Sequence, residues 1–347
     1  MLDKYKRSVS KTMIVIIIIV IVIALGGIGA YITTIQKPTS TITTTTITSY
    51  SFKMPSGSPT GTYYIALSAI ASVVSKYNPE IYAIAVPGGG SVSNCRAVGK
   101  GESPISMSTS MVAYFAYTGT ETFKGEAYPK LRSMGPAHPL IVSFIVRADS
   151  GMRTIYDLKG KRIAIGEPGS GDAVVSEILL KEAGIWDAVI KVSVGDPESW
   201  DSLQKGTIDA AIHHTIVPNP NLYERSVSTP ITLVEIPDNL ANSLSGKYPY
   251  MFRYIVKRDG YNGMVSDVKV LAIPSILITN ANVPNDLVYK FVKTYWEHFD
   301  EIVKAASFLS TIDRNNPLGG IAVPLHPGAY QYWKEKGISI PPQLSPP

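Results

Sequence analysis

From Phe52 onward the chain alternates short apolar, β-branched runs with stretches in which apolar residues recur every three or four positions. Ile81–Val86, Ile105–Met107, Ile141–Arg147, Arg162–Gly166, Ile208–Ile212 and Val270–Thr279 are of the first kind and predict buried strands. Thr62–Ser75, Ser91–Gly99 and Ala173–Glu182 have helical spacing, and Asn285–Ser307 predicts one long helix opened by Asn285 and Asp286. Such alternation predicts an α/β protein with mostly parallel sheets and helices on both faces. About 300 residues of it predict two lobes, with a ligand cleft at the carboxyl ends of the strands.

The first fifty residues are a different material. Met13–Ile32 is an uncharged apolar run, and about 20 such residues in a helix span a hydrocarbon core of roughly 30 Å. It reads as a retained transmembrane anchor, being longer than the apolar core of a cleaved signal peptide. Lys4, Lys6, Arg7 and Lys11 precede it within the basic segment 1–12, which orients the N-terminus to the cytoplasm and the remainder outside. Residues 33–51 are almost all Thr, Ser and Ile without an amphipathic period and read as an extended stalk.

Charge changes the picture only by its location. The chain carries +5 overall, but the five basic residues and single acid of its first 49 positions account for +4. A nucleic-acid-binding face is therefore not expected. Cys95 is the only cysteine, which excludes an intrachain disulfide and reads as a buried small apolar side chain.

The densest chemistry lies in GEPGSGD, Gly166–Asp172, between the strand Arg162–Gly166 and the helix that follows. Its glycines permit a tight turn, and the free N–H groups of a helix start favour a polar or anionic ligand group. It lacks the Lys-Ser/Thr pair of a phosphate loop and the full GxGxxG order. Of the five histidines, His213 and His214 are adjacent, so on a strand they point to opposite faces and cannot easily share one ion. No HExxH, CxxC or GxSxG pattern occurs. No enzyme activity, metal or cofactor is expected.

Five pieces, taken in order, carry a resemblance. GTYY at Gly61–Tyr64, GGGSVSN at Gly88–Asn94, the run Arg147–Gly171, IDAAIHHTIVPNP at Ile208–Pro220 and PLHPGAYQYWKEKG at Pro324–Gly337 resemble the TAXI family, the solute receptors of a class of TRAP (tripartite ATP-independent periplasmic) transporters. The resemblance implies a type II periplasmic-binding-protein fold, with lobe 1 built from residues 52–145 plus 275–347 and lobe 2 from 146–274. Crossings are expected near Ser143–Arg147 and Val270–Thr279. It also implies capture of a small amino acid or organic acid by cleft closure and delivery to a TRAP-type membrane permease, without covalent chemistry. An extracellular sensor signalling through the anchor is the competing reading, and Met1–Thr12 is too short for a signalling domain.

For the ligand contacts, lobe 1 would contribute Gly61, Thr62 and Tyr63 at one helix start, and Ser91 and Asn94 at another. Lobe 2 would contribute Gly169, Ser170, Gly171 and Asp172, faced by a loop at Pro218–Pro220, with His214 ending a strand at the cleft. Two departures from the family stand out. Ser108-Thr109-Ser110-Met111 replaces a Gln-Ser-Asp-like strand end, leaving Thr109 and Ser110 on a less polar floor. Asp172 replaces a Thr; its carboxylate either stabilises the helix start or faces the ligand. In the second case an amine-bearing or neutral ligand is favoured over the family's acidic one.

Overall fold

The structure is a computed structural model that describes residues 49–347. The basic segment 1–12, the anchor 13–32 and the stalk up to residue 48 lie outside the described residues. Among the described residues no helix is long and apolar enough to cross a membrane.

The chain begins with β1 (Tyr50–Pro55), α1 (Thr62–Tyr77), β2 (Ile81–Val86), α2 (Ser91–Gly99), β3 (Ile105–Thr109) and α3 (Ser110–Thr118). A 17-residue strand follows, β4 (Leu131–Arg147). Then come β5 (Arg162–Ala164), α4 (Gly171–Glu182), β6 (Ile190–Val192), α5 (Glu198–Lys205), β7 (Ala210–Thr215), α6 (Pro220–Ser228), β8 (Ile231–Leu233), α7 (Asp238–Lys247) and β9 (Phe252–Val256). The long β10 (Val268–Asn280) leads into α8 (Asn285–Glu297), α9 (Phe299–Ala305) and α10 (Pro327–Glu335). β1 therefore starts two residues inside the segment expected as stalk, where Tyr50 and Ser51 pair with Ile81 and Tyr82 of β2.

α1 shows why these residues fold as they do. Tyr63, Ala66, Leu67, Ile70 and Val74 recur at helical spacing and are buried. The helix starts after the extended Gly61 and stops at Asn78, whose side-chain amide donates to the Val74 carbonyl at 3.0 Å.

The sheets differ from the expected mostly parallel arrangement. β1 and β2 form a parallel pair, while eight strands make a mixed sheet in the order β3-β10-β4-β7-β5-β6, with β8 on β4 and β9 on β10. Only β5–β6 and β5–β7 are parallel in it. The reason is that β4 and β10 are each long enough to serve both halves of the sheet and run in opposite directions. β10 pairs antiparallel with β3 through Ser275–Thr279 and with β9 through Val268–Ala272. β4 pairs antiparallel with β7 through Ile141–Val146 and with β8 through Ile145–Arg147.

Between these halves the two long strands face each other proline to proline, Pro274 opposite Pro139, and the register slips between Pro274 and Ile276. Neither proline has an N–H to give the ladder. A second slip, between Leu277 and Ile278, extends the irregular stretch over Ser133–Pro139, upstream of Ser143–Arg147, and Ser143–Val146 pairs in unbroken register with His213–Ala210.

The predicted helix Asn285–Ser307 is also two helices. His298 leaves the helical region at φ −113°, ψ 24°, and its ring stacks on Tyr77 with centroids 3.5 Å apart.

Candidate functional site

Strand-to-helix turns from both halves of the sheet surround a cavity of about 140 Å3. On one side the turn after β1 brings Ser58, Thr60, Gly61, Thr62 and Tyr63 to the wall, and the turn after β2 brings Gly88, Gly89, Gly90 and Ser91. On the other side stand Glu167, Ser170, Gly171 and Asp172 after β5, then Gly195 and Asp196 after β6 with Trp200 from α5. His214 and Thr215 at the end of β7, and Asn219 beyond it, complete that side, with Leu140 of β4 between the two.

The sides touch. The Ser93 N–H and hydroxyl both donate to the Gly169 carbonyl at 3.2 Å. A Cβ added to Gly171 would lie 3.0 Å from Ser91 Oγ, so glycine is what lets the α2 and α4 starts meet. Gly90 supports this approach with a φ of +82°, a left-handed conformation that L side chains avoid.

Each predicted residue has a definite place. Gly61, Thr62, Tyr63, Ser91, Ser170, Gly171, Asp172 and His214 line the cavity. Tyr63 is at once core and wall: it is buried, and its hydroxyl shares hydrogen bonds with Ser91 Oγ at 3.3 Å and Ser275 Oγ at 3.1 Å. Burial pushes the Tyr63 phenol well above its ordinary range.

Five predicted residues are not among those lining the cavity, and four of them are engaged in hydrogen bonds elsewhere. Asn94 is fully buried behind it and donates to the Met107 carbonyl at 2.8 Å, joining α2 to β3. Thr109 caps α3 by accepting from the Val112 N–H, and Ser110 donates to the Gly320 carbonyl. Gly169 serves the contact between the two sides through its carbonyl. Pro218 gives way to Asn219, which caps α6 with its side-chain oxygen and donates to Thr215 Oγ1.

Asp172 does not choose between its two readings. It sits in the first turn of α4, while Ser170 is the cap, accepting from the Ala173 N–H at 3.1 Å. It also lines the cavity, and its Oδ1 accepts from His214 Nδ1 at 3.0 Å. A carboxylate can only accept, so this bond places the proton on Nδ1 and, in the neutral ring, leaves Nε2 with a lone pair. His214 Nε2 is buried without a hydrogen-bond partner.

The adjacent histidines do diverge. His213 donates from Nδ1 to the Ile141 carbonyl at 3.2 Å and accepts at Nε2 from the Tyr261 hydroxyl at 2.9 Å. Tyr261 in turn accepts from the Asn219 N–H at 3.0 Å, which ties the Asn219 loop to the strand. Burial depresses His213 to about 4 and holds it neutral. Behind Tyr63 lies His138, edge-on to it with centroids 6.0 Å apart, likewise depressed by burial to about 3.

Sequence reasoning missed Glu167, Asp196 and Trp200, and in the expected facing loop Pro218–Pro220 it singled out Pro218 where Asn219 lines the cavity. A signal was present: Gly166-Glu167-Pro168 and Gly195-Asp196-Pro197 repeat one Gly-acid-Pro turn after the neighbouring parallel strands β5 and β6. The turns face each other, since a Cβ on Gly195 would meet the Glu167 carboxylate at 2.8 Å. Burial, with the Asp172 charge second, lifts the Asp196 carboxyl to about 8, although it accepts a 2.7 Å bond from Ser199 Oγ. Three carboxyl groups thus face the cavity, and among the described residues that line it there is no lysine or arginine.

Comparison with solved structures finds distant likenesses. The alkanesulfonate-binding protein SsuA from Xanthomonas axonopodis pv. citri is 13% identical, with 84% of this chain and 80% of that one covered at a TM-score of 0.45. The periplasmic aliphatic sulphonate binding protein SsuA from Escherichia coli is 12% identical, with 85% and 96% covered at 0.45. An ancestral arginine-binding protein is 13% identical, with 75% and 98% covered at 0.46. No ligand is transferred from likenesses this remote. The sequence profile of the NMT1-like family matches residues 54–337, which is most of the chain, and the protein belongs to that family.

Proposed function

We propose that this chain is an extracytoplasmic solute receptor that captures a small polar organic molecule by closing two lobes around it. The observation that carries this reading is the cavity itself, walled by turns from both halves of the sheet whose rims bond to each other through Ser93 and Gly169. The pairing of Pro139 with Pro274 in the middle of the two long strands supports a division of the chain into lobes near those two positions. Contacts from both sides exist together only when the cleft is shut, so a bound solute favours the shut state. The cavity is smaller than the 300–1,000 Å3 of sites for drug-sized molecules, which fits an amino-acid-sized solute.

The apolar run 13–32 with its basic flank supports a membrane anchor that leaves the lobes outside the cytoplasm. The motif order from Gly61 to Gly337 supports membership of the TAXI group and delivery to a TRAP-type permease. No bond is made or broken in this reading. Native mass spectrometry of the full chain released from detergent tests it: a retained small molecule, lost together with a more open scattering profile on mild denaturation and refolding, is expected. A chain that carries no solute and whose scattering profile responds to none would overturn it.

A further inference from the structure

The receptor reading leaves open what kind of solute fits, and the chemistry of the wall answers in part. Two features pull in opposite directions. The starts of α1, α2 and α4 meet at the cavity and present N–H groups that favour negative charge. Against them stand the acidic side chains of Glu167 and Asp172 and the carboxyl of Asp196, with no lysine or arginine among the described residues of the lining. An anionic ligand would have helix starts to hold it but no cationic side chain to offset those carboxylates in a partly desolvated space.

His214 supplies an independent pointer. Its side chain is 2% exposed, it lines the cavity, and its Nε2 is buried without a partner. Because Nδ1 already donates its hydrogen bond to Asp172, Nε2 in the neutral form of the ring is an acceptor without a donor. A buried polar atom without a partner is costly unless a ligand completes it. Trp200, buried at 5% exposure on the same wall, adds an aromatic surface of the kind that accompanies cation recognition.

We propose, on the basis of the receptor reading, that the solute carries a protonated amine, held by Asp172 and Asp196 with one N–H given to His214 Nε2, and that its net charge is zero or positive. Any anionic end is then left to the helix starts. The lifted Asp196 carboxyl agrees with this, since an ammonium group beside it relieves the repulsion from Asp172 that helps hold its proton on.

Matched pairs in which the amine is removed or replaced test the proposal: titration calorimetry of the full chain with taurine against ethanesulfonate, γ-aminobutyrate against butyrate, and butylamine against 1-butanol. In at least one pair the amine member is expected to bind at least tenfold more tightly. Asp172→Asn and Asp196→Asn should each shrink that preference at least tenfold. Asp259→Asn, at an exposed position outside the lining, removes one acidic charge away from the cavity and should leave the preference unchanged. Binding of the amine-free member as tightly, unchanged in Asp172→Asn, would overturn the proposal, as would failure of every amine to bind at millimolar concentration. The receptor reading then stands or falls separately on whether the purified chain retains a solute.

Discussion

Alanine at Gly171 should separate closing of the cleft from folding of the chain. The added methyl would lie 3.0 Å from Ser91 Oγ, 3.2 Å from Ser91 Cβ and 3.3 Å from His214 Cε1. The two tightest neighbours belong to the opposite side of the cleft, so most of the crowding exists only when the sides meet. Overpacking of this kind costs about 1–3 kcal/mol, which weakens binding roughly 5- to 150-fold. In the open state the Ser91 contacts are gone, and alanine in place of a helical glycine gains up to about 1 kcal/mol. Affinity and unliganded stability should therefore move in opposite directions. Calorimetry with whichever amine binds the parent chain, beside thermal unfolding without ligand, measures both. A lower unfolding temperature with unchanged affinity would refute the reasoning, because the cost would then lie within one lobe and not between the two.

Three further outcomes follow from the same bonds. Asn94→Ala removes the 2.8 Å bond to the Met107 carbonyl and should cost about 1–3 kcal/mol in denaturant melts while leaving affinity unchanged; a selective loss of affinity would return Asn94 to the cleft. Tyr63→Phe strips a partner from Ser91 and Ser275 and should lower stability by about 0.5–1.5 kcal/mol in thermal melts. Asp196 sets a pH dependence: folded, it keeps its proton up to about 8, whereas the ordinary value is 3.8. Between those values the unfolded chain binds fewer protons, so unliganded stability should fall as pH rises from about 4 to about 8. Melts of Asp196→Asn across that range should show a flatter slope, and an unchanged slope would remove Asp196 as its source.

Much of the fold was legible because local pattern and tertiary role agree. Ile81–Val86 and Ser91–Gly99 occur with the predicted bounds, since each is a short element bounded by glycine or polar turns. β4 was legible only from Ile141 because its first half contains Gly135, Pro136 and Pro139, residues that read as turn and not strand. Strand direction was not legible, because periodicity says which face is buried and nothing about which neighbour a strand meets. In the site, the turn residues Gly61, Ser91 and Gly171 were legible from their place before helices. Asn94, Thr109 and Ser110 show the limit: a polar side chain near a cleft can be spent on satisfying a buried backbone group. Asp196 and Trp200 lie on a loop and a short helix whose sequence looks solvated until the β6 turn is placed against the β5 turn.

The proline pair at Pro139 and Pro274 has a consequence for how such a receptor could change over generations. Apart from Leu140 in β4 and Trp200 in α5, the residues that line the cavity sit on turns, strand ends or helix starts, while the two prolines lie in the middle of the sheet. In the proposed receptor most solute contacts would thus be encoded apart from the joint, so the turns could be rewritten for a new solute while the prolines stay.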